Sequence, residues 1–193
     1  MNFDELQASV LQVVRRPDLI ITIKQKINAA IRLAHTSGKY ARDLEEYTYA
    51  PEEIISTVTN GYSVTLPDRI RTIDYIQTSV GKVDLVTPQH ILIHLNHALP
   101  TAQAYIAGLT LHLRQTVQPE WINVGLYRYP IPLVVGTDTD WIAEEEPDLI
   151  TDFAISWVLT IMGEKEIASN VIALSNMELR NMLQDRLSNY LTR

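Results

Sequence analysis

The sequence predicts an α+β fold: N- and C-terminal helices forming a helical bundle, with an antiparallel β-rich middle. Three observations predict it. Apolar residues recur every three or four positions near both ends of the chain, the period falls to two in between, and Asn60-Gly61, the strongest short hairpin signal, lies inside that middle stretch. At 193 residues a single domain over 1–193 is the expectation, with the bundle drawn from 1–38 and 147–191 and a β-rich subdomain over 40–135.

From Asn2 to Arg16, apolar Phe3, Leu6, Val10, Val13 and Val14 fall on one face of a helix. Pro17 ends it and suits the first position of a second helix, where a missing N–H costs nothing. Ile20, Ile23, Ile27, Ala30, Ile31 and Ala34 form the second stripe, and Gly38 follows as a stop. The chain therefore opens as a helical hairpin.

From about Tyr40 the pattern reads as strands: Tyr47 and Tyr49, Ile54 to Val58, then YSVTL across the Asn60-Gly61 turn. IRTIDYI (70–76), TLHLR (110–114) and WINVGLYRY (121–129) continue it, with turns marked by Pro67, Gly81, Pro100 and Pro119. Five to six strands result, mostly antiparallel because the connections are short. After Pro147, Leu149, Ile150, Phe153, Ala154, Trp157, Val158, Ile161 and Met162 restore the helical period, and Gly163 punctuates it. A last helix runs from Glu164 toward Tyr190, its stripe made of Ala168, Ile172, Leu179, Leu183, Leu187 and Tyr190. Unbroken, it spans about 40 Å. Asn176 is the candidate break.

Composition excludes several classes. Hydrophobic residues at 46% and charged residues at 20% fit a globular protein, and no run approaches the roughly 20 apolar residues of a membrane span. The start, MNFDELQASV, lacks a basic n-region, which predicts synthesis in a cytoplasm. Zero cysteines exclude disulfides, thiolate metal sites and a cysteine nucleophile. A net charge of −7, from 16 basic and 23 acidic residues, argues against a surface that coats nucleic acid.

Six carboxylates, Asp138, Asp140, Glu144, Glu145, Glu146 and Asp148, crowd around Trp141. Asp140 is placed to cap a short helix, and the others surround the helix start at Pro147, where negative charge is favoured by the helix dipole. A calcium loop is the rival, but the sharp-turn glycine and the ligand spacing are missing. No residue in this order supplies the apolar pocket an acid/base pair requires.

On a helix His90, His94 and His97 would share one face, yet the glutamate that marks a zinc-hydrolase helix is absent, and the apolar residues between them leave strand or loop equally open, a strand turning His97 away from the other two. No nucleophile elbow, phosphate loop or dinucleotide fingerprint is present. The expectation is therefore no catalytic residues, no metal and no cofactor. A metal-dependent hydrolase built from His90, His94 and a carboxylate between Gly136 and Asp148 stands as the alternative from another class. Most tyrosines and tryptophans are expected in the core. Tyr127, Tyr129 and Trp141 are candidates for a protein interface, where aromatics with a polar handle are enriched.

In NGYSVTLPDRIRTIDYI, in LYRYPIPLVVGTDTDWIAEEEPDLI and in the order of its elements, the chain resembles the head-to-tail adaptor (connector) proteins of tailed bacteriophages, especially the short-tailed type. The resemblance covers most of the sequence. It implies a virion structural protein, made in the host cytoplasm and placed at the portal vertex, in the neck between head and tail. Self-association there forms a twelvefold ring that joins the portal protein to the tail nozzle or tail-tube protein. DNA passes through the prolonged channel without sequence-specific binding, and no membrane is involved. The C-terminal tail of such adaptors docks on the portal, which points here to Ser188–Arg193 and to Leu187, Tyr190, Leu191, Thr192 and Arg193 as contact candidates. Another neck or tail-completion protein is the alternative within the same class.

Overall fold

Phe3, Leu6, Val10 and Val14 are all buried on one face of the first helix, α1 (Phe3–Val14), as the spacing predicts, whereas Val13, expected with them, lies at the edge of that stripe and is 56% exposed. Asn2 caps it reciprocally: its side chain accepts from Glu5 N at 2.9 Å, and the Glu5 carboxylate accepts from Asn2 N at 2.9 Å. Arg15 closes it in the left-handed region, at φ 54°. Pro17 opens a single 3₁₀ turn (Pro17–Leu19), and α2 (Ile20–Ser37) continues from that turn to Gly38. The computed structural model describes residues 1–57, 61–88 and 102–191, with side chains of the last helix described through Gln184.

Three further helices follow the strands: α3 (Trp141–Glu145), α4 (Pro147–Met162) and α5 (Lys165–Leu191). The chain divides into two compact units, one of Met1–Tyr40 with Tyr129–Arg193 and one of Ala41–Arg128. In the first unit α4 packs against α1, α2 and α5. It is apolar on most sides for that reason, with Leu149, Ile150, Phe153, Ala154, Ile155, Val158 and Leu159 all buried. They share one cluster with Leu6, Val10, Ile23, Ile27, Ile31, Leu179 and Met182. Gly163, at φ 91°, lets the chain reverse from α4 into α5. Asn176 does not break α5, which runs 27 residues; asparagine costs a helix only about 0.5 kcal/mol, and the neighbouring Ser175 and Leu179 are buried.

Among the described residues the second unit forms one sheet of eight strands: β1 (Leu44–Tyr49), β2 (Ile55–Thr57), β3 (Gly61–Thr65), β4 (Ile70–Thr78), β5 (Gly81–Leu85), β6 (Ala102–Ala107), β7 (Thr110–Arg114) and β8 (Ile122–Arg128). Their order is β1-β8-β4-β5-β6-β7-β3-β2. Every pairing is antiparallel except β5 with β6, which is parallel. β1 and β2 are consecutive in sequence yet lie at opposite edges. Six residue steps from Tyr49 to Ile55 span at most about 20 Å, whereas eight flat strands would hold their edges about 34 Å apart. The sheet must therefore curl, and Val64, Ile73, Ile76, Leu111, Leu113, Val124 and Leu126 pack together in its core.

β2 and β3 pair antiparallel on either side of the expected Asn60-Gly61 turn, with Gly61 paired opposite Thr57 at the start of β3. A side chain at Gly61 would lie 2.5 Å from Thr57 Oγ1, so the close approach of the two strands, and not a turn conformation, favours glycine. β5 and β6 were not expected. Asn60, and the histidines at 90, 94 and 97, lie outside the described residues.

Candidate assembly surfaces

The acidic stretch builds a joint within the helical unit. Asp140 Oδ1 accepts from Ile142 N at 2.9 Å and from Ala143 N at 3.4 Å, which caps α3 as the sequence predicts. Its other oxygen lies 2.9 Å from His35 Nε2, a buried pair that joins α2 to α3. Sequence spacing gave no hint of it, because 105 residues separate the two. Trp141 packs edge-on against the rings of His35, at 5.5 Å, and Tyr40, at 5.4 Å.

Asp138 works differently. Its carboxylate accepts from Val134 N and Val135 N, both at 2.7 Å, and these bonds hold its pKa below the usual carboxylate range. The backbone oxygens of Asp138 and Gly136 accept from Phe3 N at 2.9 Å and from Asp4 N at 3.0 Å. The stretch thus satisfies two of the N–H groups that the first turn of α1 leaves without helical partners. The Asp4 carboxylate lies close over Gly136, and a β-carbon there would displace that exposed side chain.

Between the units' boundary and this joint runs a proline-rich segment, 129–135, pinned by Asn28. The Asn28 amide donates to Leu133 O at 3.0 Å and accepts from Leu133 N at 2.7 Å. Leu133 is buried, while Ile131, Val134 and Val135 are 70%, 75% and 59% exposed. Tyr129 is half-buried with the Arg32 guanidinium 4.4 Å above its ring. Tyr127 belongs to β8, is 5% exposed, and has Arg71 over its ring.

α5 carries a second apolar row beside its packed one. Ile167, Leu174 and Met177 are more than half exposed. Leu187, Tyr190 and Leu191 fall in the last turns of α5, where only the backbone is described; Thr192 and Arg193 lie outside the described residues.

In the sheet unit, Arg128 gathers an outward network. It donates to Asp68 Oδ1 at 2.6 Å, to Glu45 Oε2 at 3.1 Å and to Tyr47 Oη at 3.0 Å. Tyr75 donates to Glu46 and lies over Gly125, where any β-carbon would meet its ring at 2.2 Å. Buried Tyr49 has no partner for its hydroxyl among the described residues, and burial pushes its pKa up to about 12. No group of three His, Cys, Asp or Glu side chains among the described residues is placed to hold a metal, and no described helix is long and apolar enough to cross a membrane.

What these residues build is joints, pinned segments and exposed apolar rows. No curated protein matches the chain. A family model described as SU10 adaptor protein matches residues 1–192, nearly the whole sequence. With a match of that extent, the chain belongs to the SU10 adaptor protein family, a family of phage head-to-tail adaptors.

Proposed function

We propose that the protein is a structural component of the virion neck, a ring of twelve copies that joins the portal to the tail nozzle or tail tube and prolongs the DNA channel. The family match over residues 1–192 is the observation that carries this reading. Two features of the chain support it. Exposed aliphatic side chains sit on a rigidly pinned segment and along α5, which suits contacts with neighbours and not a ligand pocket. The net charge of −7 suits a conduit, since basic walls would hold phosphates through many ion pairs and slow ejection.

In this reading the terminal helices act as a helical bundle, 1–38 with 147–191, and the β-rich part 40–135 meets the tail. Leu187, Tyr190, Leu191, Thr192 and Arg193 reach the portal. Tyr129 and Trp141, both half-buried, supply further contacts, whereas Tyr127 is buried within its own sheet at 5% exposure and leaves no surface for one. The test is to mix the purified chain with portal rings and image the product by electron microscopy. A second ring of density against the portal is the expected result, and bare portals would sink the proposal. Deleting 188–193 should abolish that ring while leaving the thermal midpoint nearly unchanged, because a chain end held by a partner adds few internal contacts. Normal assembly of the truncated chain would move the portal contact elsewhere.

A further inference from the structure

Two faces of the helical unit have opposite chemistry. On α5, Ile167, Val171, Leu174 and Glu178 succeed one another at four, three and four residues, so they form one row; Ile167 is 53% and Leu174 55% exposed. Glu178 ends the row beside Asp148 and Asp152 of α4. Burial first, and then these two carboxylates with Glu146, raise the pKa of Glu178; burial and Asp148 raise that of Asp152. Among the described residues no basic side chain forms an ion pair with any of the three. An apolar row with an uncompensated acidic end is thus left open to solvent.

α2 presents the reverse. Its 18 residues hold Lys24, Lys26 and Arg32 and no acidic residue. Ile21, at 70% exposure, shares the outward face with Lys24, Ala29 and Arg32, all exposed. Aliphatic and basic groups therefore alternate along it, which matches the acidic-ended row of α5 in both respects.

We infer that the α4–α5 face of one copy docks on the outward face of α2 of a second copy, head to tail. The partner is another copy of this chain because the complementary face is built into the same unit. Different faces meeting in this way give a heterologous contact, which closes into a ring if the rotation between copies allows. The inference deepens the ring reading above, and rests on it for the presence of a second copy, by naming the surfaces that meet.

The chain has no cysteine, so introduced pairs report contact without background. Ile21→Cys and Leu174→Cys are made singly and together, and treated with a short bifunctional maleimide at several concentrations, free and on portal rings. The double variant should yield a ladder of covalent multimers, and an equimolar mixture of the two single variants should stop at dimers. Neither single variant alone should crosslink. A homodimer from either one would show a twofold contact and overturn the inference, as would a double variant that stays monomeric both free and on portals. Glu178→Lys should slow crosslinking by about threefold or more, and adding Lys24→Glu should restore it; an unchanged rate would also count against the docking. Rings on portals without the crosslink would remove this interface and keep the portal reading. The crosslink without rings on portals would do the reverse.

Discussion

Asp140 holds two jobs on two oxygens, the cap of α3 and the bond to His35, and substitutions separate them. Asp140→Asn keeps a good cap acceptor but loses the charge, whereas Asp140→Ala loses both. The alanine variant should be less stable by about 1–3 kcal/mol and the asparagine variant by less, as measured by urea unfolding. Equal losses would mean that the cap contributes little. Tyr49 offers a test of opposite sign, since its buried hydroxyl lacks a partner among the described residues. Tyr49→Phe should be neutral or stabilising at neutral pH. The folded-state pKa of about 12 exceeds the ordinary value of 10.0, so the folded form holds the phenol proton more tightly. That stability is complete below pH 10 and is lost as pH rises toward 12. The phenylalanine variant should show a shallower alkaline fall across that window. Asp138 acts at the other end of the scale, its depressed pKa giving stability that disappears as acid titrates it.

At the scale of elements, burial and then neighbouring carboxylates, Asp148 for Asp152 and Asp152, Asp148 and Glu146 for Glu178, raise the pKa of both groups where α4 meets α5. Their raised pKa values mean that the folded form binds protons more readily than the unfolded chain, so stability contributed by this pair rises as pH falls from neutrality. Asp152→Asn copies the protonated state and should raise the urea midpoint at pH 7; a lowered midpoint would show that the carboxylate is held by a favourable partner. Helices were the most legible elements in the sequence, because Phe3, Leu6 and Val10, or Ile23, Ile27 and Ile31, bury one stripe at helical spacing. β5 and β6 were not legible. GKVDL alternates Lys82 and Asp84 with Val83 and Leu85, but over only four residues, and Leu85 is 47% exposed; AQAYIA contributes small alanines, so neither segment carries the bulky apolar pattern that marked β4 and β8. The outward row of α5 was hidden for a related reason: Ile167, Val171 and Leu174 sit beside the packed stripe, and a helix with two apolar rows loses its simple period. The acidic stretch was half legible. The Asp140 cap followed from position, but the bonds from Phe3 and Asp4 to Asp138 and Gly136 cross more than 130 residues and leave no local trace.

For the whole molecule, the expected state of the isolated chain is a folded monomer at low micromolar concentration, because heterologous contacts strong enough to polymerise freely would consume subunits before portals exist. Sedimentation velocity checks this, and spontaneous filaments in physiological buffer would contradict it. The helical unit is interrupted in sequence: Met1–Tyr40 and Tyr129–Arg193 share one core, while the sheet unit is continuous over Ala41–Arg128. On the ribosome, α1 and α2 emerge first and meet no α4 until more than a hundred residues later. Their apolar faces wait through the synthesis of the entire sheet, and β1 in turn waits for β8, its neighbour in strand order. The sheet can close before the helical core has its second half, so birth order and spatial order run opposite ways in this chain. Translation speed across residues 41–150, more than the stability of either finished unit, then governs how long that apolar surface stays open to the wrong company.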